Sequence, residues 1–161
     1  MGPSESIDQI VGILDRNGYE FERRGDGNSL AIDLEGNTVF AGSMQVDSAV
    51  YVHLWAHLAI DVELSQEVAA GAYLWVNQQN TSHAFAKFSI YEATDSEGLP
   101  KGIAQIDIEH DLLANELQAA EFINSMLRID EAVTETQDNC IQLFGGVRLA
   151  DKLAQLYTGQ E

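Results

Sequence analysis

The most regular pattern in the chain is an alternation running from Val50 to Val62. Val50, Val52, Leu54, Ala56, Leu58, Ile60 and Val62 share one side, while Tyr51, His53, Trp55, His57, Ala59 and Asp61 share the other. A period of two belongs to a β-strand, whose successive side chains point to opposite faces. Strands usually run roughly 3–10 residues, so one this long should contain a bend or bulge. Upstream, Ile7, Ile10, Val11 and Leu14 form one helical stripe. Ser6 and Gln9 have capping-box spacing at its start, and Asn17-Gly18 marks its end. Tyr19 and Phe21, then Leu30, Ile32 and Leu34, alternate with polar residues on either side of Gly25-Asp26-Gly27-Asn28, which predicts a hairpin. Residues 36–48 stay open: Val39-Phe40 suits a strand, whereas Gly36, Gly42 and Ser43 interrupt one.

Beyond the long strand, Ser65 is placed to cap a second helix. Its body, residues 68–76, is apolar all round, which predicts cover on more than one side. Strands are expected over about 84–92 and 102–109, with Asp95-Ser96-Glu97-Gly98-Leu99-Pro100 turning the chain between them. A long helix follows from about Asn115 to Phe144, with Phe122, Met126, Ile129, Val133 and Cys140 on one side and Gly145-Gly146 at its end. A short last helix carries Leu149, Leu153 and Leu156. The order is α-β-β-β-α-β-β-α. It predicts an α+β fold with an antiparallel sheet of about five strands and helices mainly on one side.

The 161 residues suit a single domain, with a core over about 5–145 and a C-terminal helix at 147–158. Charge narrows the partners. Eight Lys and Arg against 26 Asp and Glu leave a net charge of −18. Phosphate binding needs clustered cations, so neither a nucleic acid nor an anionic membrane surface is expected as a partner. Cys140 is the one cysteine, which rules out an intramolecular disulfide and fits a reducing compartment. The N-terminal residues show no basic and apolar leader pattern, and no apolar run approaches about 20 residues. A cytoplasmic location is the expectation.

Three parts of the chain resemble a known group. They are Ile13-Leu14 followed by Gly18-Tyr19, the long aliphatic strand at 50–62, and Trp75-Val76-Asn77-Gln78-Gln79-Asn80 leading into Phe85-Ala86-Lys87-Phe88. They are similar to the YbjN-like family of bacterial proteins, over about residues 5–145, with Val76 where the family tends to carry Leu. The family's labels are those of sensory-transduction regulators, and it shares the fold of type III secretion chaperones. The resemblance implies that fold, together with a peptide-binding or regulatory role. It implies no reaction.

The residues themselves offer little catalysis. His53 and His57 share a strand face, but four residues of strand separate them by about 13 Å, too far for one metal ion. Asp107, Glu109 and Asp111, beside His110, read as solvated surface. Gly25-Asp26-Gly27 precedes a strand instead of a helix, which fails the context of a dinucleotide loop. Asp26-Gly27-Asn28 lacks the spacing of a calcium loop. Cys140 lies among apolar positions with Asp138 near, the opposite of the electropositive setting a nucleophile needs. Neither a metal nor a cofactor is expected, and no catalytic residue is assigned.

One face resists a solvated reading. Tyr51, His53, Trp55 and His57 form an aromatic row that is either a second core under a helix or a binding platform. The expected function is a non-catalytic peptide- or protein-binding module, chaperone-like or a regulatory adaptor, using these four residues and favouring a basic partner. The alternative is a small enzyme built from scattered carboxylates and His53 or His57. A homodimer is expected too, through Phe122, Met126, Ile129 and Val133, whose stripe is wide enough to meet two neighbours.

Overall fold

The computed structural model describes residues 1–159. Helix α1 (Pro3–Arg16) is followed by strands β1 (Phe21–Arg24), β2 (Ser29–Leu34), β3 (Asn37–Val46) and β4 (Ala49–Glu63). Helix α2 (Gln66–Ser82) leads to β5 (Lys87–Thr94) and β6 (Pro100–Leu113). After a 3-10 turn at Ala114–Glu116 come α3 (Ala119–Phe144) and α4 (Leu149–Thr158). The strands form one six-stranded antiparallel sheet in the order β1-β2-β3-β4-β6-β5. The α+β class and antiparallel sheet are those read from the sequence.

The extra strand is β3. Its glycine at 42 does not break it, because Gly42 stands opposite His53 where the Trp55 ring passes. A Cβ there would lie 3.2 Å from that ring. The long strand carries its expected irregularity near the end. Asp61 adopts φ 55°, a left-handed conformation rare for a non-glycine residue, and the regular alternation of burial breaks at Ala59–Ile60.

The residues pack into two compact units. The first comprises Met1–Ala56 and Glu109–Glu131; the second comprises His57–Ile108 and the chain from Ala132 onward. β4, β6 and α3 run through both.

In the first unit, Ile7, Ile10, Ile13 and Leu14 of α1 are buried, as are Val50, Val52 and Leu54 of β4. Ser6 does not cap α1, which begins earlier. The backbone N–H of Gly2 donates to Glu5 there (2.7 Å), while the buried Ser6 hydroxyl donates to Pro3 O (2.8 Å) and bonds Ser43 Oγ (2.6 Å). A polar residue in the stripe thereby ties the helix to β3. Asn37 and Asp130 join at 2.8 Å, which ties α3 to the same strand.

The α3 stripe is buried, and the expected cover of α2 needs correction. Phe122, Met126, Ile129 and Val133 are 0–2% exposed within the single chain. The stripe therefore packs into the core of the chain. Its width reflects residues on the helix shoulders, such as Leu127, which remains exposed. Helix α2 is not covered on several sides. Ala72, Trp75 and Val76 are buried, but Tyr73 and Leu74 stand exposed.

In the second unit, Trp75 meets Phe88 and Phe144 edge-on, with ring centroids 5.9 and 5.8 Å apart. Its indole N–H donates to Asn139 Oδ1 (3.2 Å). Gln137 donates to the carbonyls of His57 and Leu58. The turn Gly145-Gly146 has left-handed φ at both residues (78° and 82°) and aligns Val147 to pair with Ile60. Helix α4 buries no residue and is tied down by ion pairs from Lys152 to Asp61 and from Arg148 to Asp138.

Candidate functional site

In the first unit, the β4 face opposite the aliphatic one carries Tyr51, His53 and Trp55, all half-buried. Register places Phe40, Gly42 and Met44 of β3 opposite Trp55, His53 and Tyr51. The Trp55 ring stacks on Phe40, with centroids 5.3 Å apart and planes 17° apart. It stacks on His53 at 5.2 Å and 22°. The result is a row of three nearly parallel rings across two strands. The Arg24 guanidinium lies 5.8 Å from the Phe40 centroid, so the row already holds one cation.

His53 is anchored from β6. Its Nδ1 lies 2.7 Å from Asp111 Oδ1 and its Nε2 lies 3.5 Å from Glu109 Oε2. Asp111 is exposed while Glu109 is nearly buried. In the second unit, His57 repeats the arrangement. Its Nδ1 sits 2.7 Å from Oδ1 of the buried Asp107, and Gln105 donates to the other carboxylate oxygen (2.9 Å). Asp107 and Glu109 are not the solvated surface that their place in the sequence suggests; they are 3% and 5% exposed. The signal was present as two strand-spaced series, His53 and His57 on one strand and Asp107, Glu109 and Asp111 on another. The neighbouring of β4 and β6, which lie far apart in sequence, is what joins them.

Among the described residues, no group of three or more His, Cys, Asp or Glu side chains is arranged to hold a metal ion. His83 closes α2, its Nδ1 3.1 Å from the Gln79 carbonyl. The Tyr73 hydroxyl donates to Glu92 (2.7 Å), which raises the phenol above its ordinary value.

Cys140 is fully buried, and desolvation pushes its thiol up to about 12. Only the thiolate attacks. The native protein should therefore resist an aromatic disulfide reagent near neutral pH and react stoichiometrically once unfolded in guanidinium. Fast labelling of the native state would contradict this burial.

No family model matches the sequence, and no curated protein does. Solved structures do. A protein named YbjN, a proposed transcription regulator from E. coli, is similar at 14% identity and a TM-score of 0.56, covering 86% of this chain and 94% of its own. An uncharacterized protein from Methanothermobacter thermautotrophicus is similar at 12% identity and a TM-score of 0.52, covering 83% and 97%. Among the described residues, no helix is long and apolar enough to cross a membrane. The chain has a YbjN-like fold, as its Asn77–Asn80 segment and long strand led us to expect.

Proposed function

We propose that this protein is a non-catalytic binding module, a regulatory adaptor that holds a basic segment of a partner protein. The observation that carries this reading is the ring row of Phe40, Trp55 and His53 with Arg24 over its end. Aromatic faces attract guanidinium and ammonium groups, as Arg24 over the Phe40 ring illustrates, and carboxylates at Glu109 and Asp111 flank the row. The net charge of −18 adds long-range attraction for a basic segment and speeds its encounter. Tyr51 extends the row along β4. A regulatory role suits the E. coli structural neighbour, itself a proposed transcription regulator.

Trp55→Ala separates a binding ring from a core ring. A fluorescein-labelled Lys/Arg-rich peptide should bind the variant at least about tenfold more weakly, the scale of an interface hot spot. The melting temperature should fall only slightly, because the ring is half-buried. Unchanged affinity would sink the proposal, as would a collapse in stability that leaves the folded fraction fully competent.

The alternative of a small enzyme draws on His57, whose ring the buried Asp107 orients as a general base is oriented. If that reading were right, His57→Ala would abolish turnover of some substrate while leaving peptide affinity at Trp55 intact.

A further inference from the structure

Strand β5 is the last strand of the sheet. An edge strand presents unpaired backbone groups to any extended chain, and proteins usually cover or charge it. Here one residue provides a cover. Asn80, from the end of α2, donates Nδ2 to the Phe88 carbonyl (3.0 Å) and accepts the Phe88 N–H at Oδ1 (2.6 Å). A single carboxamide thus makes both bonds that a neighbouring strand would make.

That contact also fixes which residues face outward. In an antiparallel ladder, the backbone groups of alternate residues point to opposite neighbours. Phe88 points away from β6, so Ile90 and Glu92 do as well. Side-chain placement agrees. Phe88 meets Trp75 of α2 and the Glu92 carboxylate accepts from Tyr73 of α2, while Tyr91 and Ala93 line a groove that Glu92 also borders. Among the described residues, no side chain or loop backbone bonds the main chain of Ile90 or Glu92. The Asn80 cover ends at Phe88, and the strand beyond Ile90 is exposed.

The groove beside this edge encloses about 550 Å³. Tyr91, Ala93 and Ile103 of the sheet and Leu149, Leu153 and Leu156 of α4 supply its apolar walls. At its border Glu92 brings a carboxylate, and Asp95 and Glu97 follow in the turn.

We infer that the open edge of β5 from Ile90 to Thr94 is a strand-addition site for an extended peptide of alternating apolar and basic residues. Its backbone pairs with Ile90 and Glu92, one set of side chains enters the leucine-lined groove, and the other meets these carboxylates. The inference rests on the proposed function in taking the partner to be a basic segment. A second copy of this chain suits the edge poorly, since it would bring another charge of −18 and a second Glu92 to the seam.

Amide hydrogen exchange on the full chain tests this with a synthetic Lys-Val-Lys-Val-Lys-Val peptide. In the free protein, the Ile90 and Glu92 amides should exchange fast, and those of Ser89 and Tyr91 slowly. Saturating peptide should slow Ile90 and Glu92 at least about tenfold, the effect of one well-formed added strand. Ile90→Pro removes an outward N–H without touching the pairing with β6, so it should melt near the parent and lose the peptide protection at Glu92. Unchanged exchange at Ile90 and Glu92, or no binding at millimolar peptide, overturns the edge site. Peptide binding reported only at Trp55 also overturns it while sparing the proposed function. Protection at the edge that survives Trp55→Ala with undiminished affinity keeps the edge site and removes the ring platform. A doubling of mass with the same protection and no peptide would assign the edge to a second copy and overturn the peptide.

Discussion

Phe122→Ala should lower the unfolding free energy by about 3–5 kcal/mol, the cost of deleting a fully buried aromatic ring and leaving a cavity. Phe122 sits on the buried side of α3 with Met126 and Ile129, all at 0% exposure. Chemical denaturation of the variant measures the loss directly. Were the ring a contact between subunits instead, the variant would change its mass in light scattering while its monomer kept most of its stability. Destabilisation below about 1 kcal/mol would contradict the burial described here.

Gly146→Ala should be nearly as damaging, for a different reason. Its φ of 82° strains any side chain, and a Cβ would lie 2.7 Å from the Ile60 carbonyl oxygen and 2.9 Å from Val62 Cγ2. Neither neighbour can yield easily, because one is backbone and the other is held in a buried strand residue. Gly145 has nearly the same φ, 78°, with open space where its Cβ would stand. Gly145→Ala should therefore show only the conformational strain, about 1–2 kcal/mol. Gly146→Ala adds the collision and should cost roughly 3 kcal/mol or more. Equal melting temperatures for the two variants would show that the close approach of this turn to β4 is wrong.

The contrast between the two glycines was not legible in the sequence, where both simply end a helix. The difference comes from a contact between β4 and the turn after α3, residues far apart along the chain. The same limit explains the histidines. Alternation placed His53 and His57 on one face of a strand, correctly. It could not reveal that Asp111 and Asp107 would meet their rings. By contrast, elements whose signal is local were readable: the α1 stripe, the body of β4, the buried side of α3. Strand β3 was not, because its Gly42 looks like a break until the Trp55 ring above it supplies the reason for a small residue. Asn80 marks an intermediate case. Its place in an Asn-x-x-Asn element was visible, and its purpose, bonding the N–H and carbonyl of Phe88, was not.

In the proposed function, Trp55 belongs to a surface that takes up a basic segment. The chain has two tryptophans, and their indole N–H resonances report two different environments. Trp75 is 7% exposed and bonded to Asn139; Trp55 is half-buried in the ring row. Titrating the nitrogen-15-labelled protein with a Lys/Arg-rich peptide at low salt should shift the Trp55 indole signal progressively and leave that of Trp75 in place. A Trp55 signal that stays fixed up to millimolar peptide, or a shift confined to Trp75, would contradict the account.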